Sequence, residues 1–462
     1  ICFWSLSNSR DSVYRGEKKY GFGPCKNKFY KTTIQVLNDK DETLTGIPVT
    51  IKREDGNTAY EKAGNSTYVE YLYDGIYIAN ANIDGKRVSK SFVTKGNEQT
   101  VILSPLSENG ELYGHIKDSE TGNNIKGVSV KISKDDMGVT AMETDELGNF
   151  SCSLPSGTFL IEITKDGYLP FSAYERIEDG EMTYMQEIEL ISGEGKGGFR
   201  GIITNAVTGR PIEDVNLQLR SGWNNTEGEI IKELKTDSDG EFRFGAKKAF
   251  GVIFGIPCGN YTITASKEEY LATSFNIIVW PGEDTDNPEQ NGTMSPVMAD
   301  DTYRIVLTWG ENPSDLDSHV VGRFSDGEDF HVYYENMWEY DYESDLEVCN
   351  LDLDDITRYG PETITLNVNT DAPYYYYVYH YDGSGTLSTS GAQIKVYHGN
   401  DPVRTFHVPT GFGQEDYWNV FAIVDGKIIS KNTLTFFSDL TYADSRRVSA
   451  PDTSKEDRAL KN

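Results

Sequence analysis

At 462 residues the chain is too long for one hydrophobic core, and about 150 residues per domain predicts three or four folded units. Its 73 acidic and 43 basic side chains leave a formal net charge of −30, which repels phosphate backbones and anionic lipid and argues against nucleic acid as a partner. No run reaches the roughly 18 apolar residues of a membrane span, while the acidity suits divalent cations.

The chain starts at Ile1, the pattern expected of a secreted or cell-surface product whose signal has been removed. Residues 1–30 form an N-terminal arm in which Phe3, Trp4, Tyr20 and Phe22 belong to no evident domain. Cys2 and Cys25 bracket this core-poor stretch, and a disulfide between them would add roughly 3 kcal/mol in the chain-entropy model. Cys152, Cys258 and Cys349 fall in or beside strand-like runs, where burial as free thiols is the competing expectation. Asn-x-Ser/Thr sequons at Asn65, Asn149, Asn224, Asn260 and Asn291 mark candidate glycosylation sites.

From residue 31 the chain repeats. "GHIKDSETGNNIKGVSVKI" from Gly114 and "GIITNAVTGRPIEDVNLQL" from Gly201 share Gly-x-Ile, a Thr-Gly pair, an Ile and an alternating strand. "TIQVLNDKDETLTGIPVTI" from Thr33 is a looser copy whose Thr-Gly arrives at Thr45-Gly46. Each later copy continues into a second block, "TDELGNF" from Thr144 or "TDSDGEF" from Thr236, and then a Gly-x-Tyr or Gly-x-Phe strand. Asp/Gly turns joining short runs of alternating apolar and polar residues predict antiparallel sheets with one buried face, two to a sandwich. The predicted boundaries are 31–106, 107–194 and 195–300. Asp237, Asp239 and Gly240 imitate the start of a calcium loop, but no Glu closes it at the twelfth position, so a hairpin turn is expected.

The Thr-Gly turn, Gly-Val strand, Thr-Asp-x-x-Gly-x-Phe turn and Gly-x-Tyr strand together resemble the carboxypeptidase regulatory-like (transthyretin-like) family. The match is good over 198–280 and 111–191 and poor over 31–104, which is as similar to a collagen-adhesin B type sandwich. The resemblance implies an all-β, elongated series of transthyretin-like or immunoglobulin-like sandwiches acting as spacers, stalks or accessory modules, without catalysis.

Residues 301–437 differ in composition and hold most of the histidines. Nine short runs, from "YRIVLTW" to "WNVFAIVDGKII", predict a further sandwich. "LTWGENPSDLDSHVVG", "LDLDDITRYGPETITL" and "WNVFAI" resemble an uncharacterised sandwich that follows regulatory-like repeats in secreted proteins, a resemblance that implies little about activity. Asp315, Asp317 and His319 alternate on one predicted strand, and Asp352 and Asp354 on another whose Leu351 and Leu353 should face the core. Were the two strands neighbours, the crowded carboxylates would call for a cation: Ca²⁺ by oxygen ligation, or Zn²⁺ or Mn²⁺ if His319 and His331 joined. The competing expectation uses these groups as turn caps and backbone partners with no metal. Catalysis is disfavoured, since Ser318 and His319, as strand neighbours, point to opposite faces.

In "PYYYYVYHYDGSG", Tyr374 and Tyr376 share one face and Tyr375 and Tyr377 the other. The outward set, with Tyr379, either stacks on a glycan or is an ordinary Tyr-rich outer strand. Residues 438–462 are core-poor, an expected tail held by a neighbouring copy. The combined expectation is a non-enzymatic, secreted structural or adhesive surface protein, assembled head to tail from copies of itself into a filament or layer. The rivals are a carbohydrate-binding or spacer part of a secreted enzyme, and a metal-dependent hydrolase in the last domain.

Overall fold

In the computed structural model the structure describes residues 29–436, apart from 39–41, 54–57, 63–66, 74, 84–85, 95–98, 105–108, 136, 250–251, 286, 369–372, 411–412 and 425. The expected Cys2–Cys25 disulfide, the sequon at Asn65 and the tail 438–462 lie outside the described residues. Within them the regular elements are strands, save one short 3-10 turn at Leu387–Thr389, so the chain is all-β as its alternation predicts. No helix among the described residues is long and apolar enough to cross a membrane.

The chain divides into two compact units, up to Leu106 and from Ser107 onward. In the first, a sheet ordered Thr67–Tyr73, Phe29–Val36, Gln99–Leu103 accompanies one ordered Thr58–Lys62, Val49–Arg53, Gly75–Ile83, Lys86–Thr94. Ile34, Val36, Ile51, Ala79, Ile83 and Leu103 fill the core.

Among the described residues the second unit has three large cores. Leu112, Val130, Ile132, Phe159, Ile161 and Ile163 fill one; Phe199, Ile203, Leu217, Phe244, Ile263 and Ile277 fill the next. Strand Gly157–Thr164 shows the cause: Phe159, Ile161 and Ile163 are buried while Glu162 and Thr164 are exposed. The repeated Thr-Asp-x-x-Gly-x-Phe block is a turn lock in both copies. Thr144 Oγ1 donates to the Ile125 carbonyl at 2.7 Å and accepts from the Val128 N–H at 3.0 Å; Thr236 does the same with Ile212 at 2.7 Å and Val215 at 2.9 Å. Asp237 Oδ1 accepts from the N–H groups of Asp239 and Glu241, as Asp145 does from Leu147 and Asn149. Gly240 has φ +70°, and a Cβ there would stand 2.9 Å from the Ile203 carbonyl. The acidic block therefore closes a hairpin, and Asp237 is consumed in doing so.

The junction between these two sandwiches is built by main chain as well as side chains. After strand Asn216–Ser221, Trp223 bridges Ala173 in parallel and so extends the edge of strand Phe171–Ile177. Its N–H donates to the Ser172 carbonyl at 2.9 Å, and its carbonyl accepts from the Tyr174 N–H at 3.0 Å. The Trp223 ring is buried among the second sandwich's side chains, edge-on to Phe171 at 4.9 Å.

The third core of the unit lies between a sheet ordered Asp329–Val332, Asp315–Arg323, Tyr374–Asp382, Tyr417–Val424, Lys427–Thr435 and one ordered Trp338–Asp341, Leu346–Leu353, Glu362–Asn367, Thr302–Thr308, Gln393–His398, Asp401–His407. Leu307, Leu316, Val320, Ile364, Tyr376, Trp418 and Phe421 fill it. Sequence reading missed strand Trp338–Asp341, whose Trp338 is exposed and gives no alternation signal, and fused the hairpin around Gly426 into one run. Cys152, Cys258 and Cys349 are free thiols, and burial raises the pKa of all three.

Candidate metal centre

Strand Asp315–Arg323 is buried on both faces up to its last residue, so its acidic groups are inside the protein rather than along a solvated edge. Leu316 and Val320 face the core; the other face carries Asp315, Asp317, His319 and Val321. Opposite lies strand Tyr374–Asp382, pairing Asp317 with Tyr379 and His319 with Tyr377.

The second acidic run behaves differently from its alternation. The register of Leu346–Leu353 against Glu362–Asn367 shifts between Leu351 and Leu353, and one extra residue flips every side chain that follows. Asp352 therefore stays on the outer face, accepting from Asn350 Nδ2 at 2.9 Å and from Thr365 Oγ1, with its carboxyl pKa raised by burial. Leu351 enters the core, but Leu353 sits over Gly209 of the preceding sandwich, contrary to the expectation that both leucines face inward. Asp354, past the bulge, turns toward Asp317.

Asp317, Asp354 and Glu362 bring one carboxylate oxygen each within 4.8 Å of the others. Glu362, which sequence reading gave no role, is 1 % exposed and accepts the backbone N–H of Ser318. The sequence sign of it was the Tyr-Gly-Pro-Glu turn at 359–362. That turn is pinned hard: the Trp309 N–H donates to the Tyr359 carbonyl at 3.1 Å, the Arg358 N–H to the Ser314 carbonyl at 3.0 Å, and Asp355 Oδ1 accepts from the Thr357 N–H at 2.7 Å. Arg358 and Tyr359 both adopt left-handed φ values, 85° and 70°, a conformation costly for side-chain-bearing residues and held only by such surroundings. Gly360 follows at φ +75°, and a Cβ on it would meet Trp309 at 2.9 Å.

Like-charged oxygens about 4 Å apart repel by about 4 kcal/mol per pair at an effective dielectric near 20. Oxygen ligands on opposite sides of Ca²⁺, each about 2.4 Å from the ion, stand about 4.8 Å apart, so the separations suit a hard cation. Of the five residues expected at a metal, this cluster includes Asp317 and Asp354. Asp315 lies at the sheet end opposite Asp382, Asp352 is on the outer face, and His319 belongs to a separate group.

That group is a buried aromatic stack. His319, fully buried, lies parallel to Tyr377 at 4.6 Å and to Tyr333 at 5.5 Å, with its Nδ1 2.9 Å from His331 Nε2. Burial pushes the His331 pKa down to about 4. One imidazole donates and the other accepts. Tyr374 and Tyr376 pack inward, as alternation predicts. Tyr377, expected on an exposed face, is only 3 % exposed because the histidine stack covers it. Tyr375 lies under the Lys431 ammonium at 4.4 Å, and Tyr379 leans on Tyr417 at 4.8 Å.

Of the sequons, Asn149 starts strand Asn149–Leu154 and Asn291 Oδ1 accepts the Ile202 N–H. Asn224 and Asn260 sit at the sandwich junction, donating to Glu175 Oε1 and to the Ser172 carbonyl.

No family model matches the chain, and no curated protein matches it. Among solved structures, the Bacillus anthracis TIE protein overlaps at 18% identity and TM-score 0.20, over 58% of this chain and 50% of that one. The chain thus spans half the length of that protein. A Streptococcal ancillary pilin overlaps at 11% identity and TM-score 0.19 over 58% of this chain and 99% of its own, and the shaft pilin SpaA from Lactobacillus rhamnosus GG at 13% and 0.18 over 36% and 98%. Overlaps this slight carry no argument about the present chain, whose reading rests on its own residues.

Proposed function

We propose that the chain is a structural component of an extracellular surface assembly, a subunit that joins copies of itself head to tail in a filament or layer. One observation carries the reading: buried groups cross the junctions of the second unit. Trp223 reaches from one sandwich into the core of another, and Tyr397 of the last packs with Ala206 and Leu271 of its neighbour. Such clamping suits a part that holds distance under load, and the regulatory-like repeat frame supports the same role. A hydrolase would need a cleft presenting Asp315, Asp317 and His319 to substrate, yet Asp317 and His319 are 1 % and 0 % exposed.

Within this reading a Ca²⁺ held by Asp317, Asp354 and Glu362 would tie the 354–361 turn to strand Asp315–Arg323, a structural rather than catalytic cation. Negative-stain imaging of native material with and without chelator tests both parts. Filaments or sheets support assembly, and their loss on chelation supports a calcium-dependent one. Dispersed single particles in both conditions refute the assembly.

A further inference from the structure

Lys395, on strand Gln393–His398, projects from the outer face of the last sandwich into the junction with the preceding one. Its ammonium donates to Thr273 Oγ1 at 3.1 Å and to the Ser274 carbonyl, and among the described residues it forms no ion pair with a carboxylate. In a chain of net charge −30 a junction cation without an acid is unusual. Arg304, on the adjoining strand, differs: Asp352 lies close enough to act on it.

Two further observations converge here. A cavity of about 30 Å³ adjoins Lys395, lined by Asn291, Thr293, Thr308, Gln393 and Tyr397, room for one or two water-sized occupants. His407 pairs directly with Gln393 across the sheet, and so shares the face of Lys395; it is 8 % exposed, and its Nδ1 has no hydrogen-bond partner. Burial and the Lys395 charge push the His407 pKa down to about 4, and burial takes Lys395 down to about 8.

We infer that this junction binds one small monovalent anion of halide size, held by Lys395 Nζ and ringed by the Thr308 and Gln393 side chains. The occupant screens the ammonium and helps to fix the last two sandwiches against each other.

Crystals of the full chain soaked in sodium bromide should give an anomalous peak in the cavity beside Lys395 Nζ. Bromide found elsewhere only, an adventitious ion only, overturns the site, as does its absence. In solution, raising chloride at constant ionic strength with gluconate should lift the melting midpoint by about 2 °C per tenfold above its Kd. Lys395→Met should abolish that response, whereas Lys395→Arg, which keeps the charge if the methionine variant fails to fold, should retain it. An equal response to chloride and gluconate in the parent chain also refutes the site.

Discussion

Replacing Trp223 with alanine tests whether the second and third sandwiches are one mechanical piece. The ring is 1 % exposed and lies in the second sandwich's core although the third sandwich supplies it. Deleting a buried tryptophan ring costs about 3–5 kcal/mol, within which the edge-on contact with Phe171 accounts for about 1 kcal/mol. The indole Nε1–H also donates to the Ile277 carbonyl at 3.1 Å, so removing it leaves a buried acceptor and adds about 1 kcal/mol. Main-chain bonds to Ser172 and Tyr174 survive the change, so the loss is one of packing rather than of the junction's backbone. Trp223→Phe should keep most of the packing and lose about 1–2 kcal/mol. Calorimetry of the full chain should show the alanine variant's second and third sandwiches melting as separate transitions, with proteolysis appearing between them. A change below about 1 kcal/mol with undivided melting would refute the claim that this side chain couples the sandwiches.

Three other outcomes are expected. Burial pushes the Glu175 pKa up to about 8 at the same junction, above the unfolded value near 4.3, so the folded chain holds a proton that the unfolded chain releases. Stability should therefore fall as pH rises from about 4.5 to 8 and level off beyond; Glu175→Gln should flatten that slope in urea titrations, and an unaltered slope would count against it. Asp317→Asn and Glu362→Gln should each erase the difference in melting midpoint between calcium and chelator, and a parent protein indifferent to calcium would dismiss the cation. Thr236→Val breaks two buried hydrogen bonds of the repeat turn and should cost about 1–3 kcal/mol in urea unfolding, with Thr144→Val comparable; losses under 0.5 kcal/mol would contradict the turn-lock role.

Much of the fold was legible because its causes are local. Phe159, Ile161 and Ile163 alternate with polar residues, and Gly240 with Asp237 writes a hairpin turn directly into the chain. The site was legible only in its composition. Asp317 and Asp354 stand out as acidic groups on apolar strands, but the register shift between Leu351 and Leu353 that separates Asp352 from Asp354 leaves no mark in the residue order. Glu362 meets the Ser318 N–H across 44 positions, and Trp223 looks like one more loop aromatic until its ring is seen in another sandwich's core.

The amino-acid order alone determined strands and turns, because each follows from neighbours two to six positions apart, and it displays the repeat and the acidity directly. Tertiary structure decided which carboxylates meet, that His319 and Tyr377 are stacked and covered, and that Lys395 lies beside His407 at a junction. Those outcomes depend on strand pairing and register between distant segments, where a one-residue slip exchanges an inner face for an outer one.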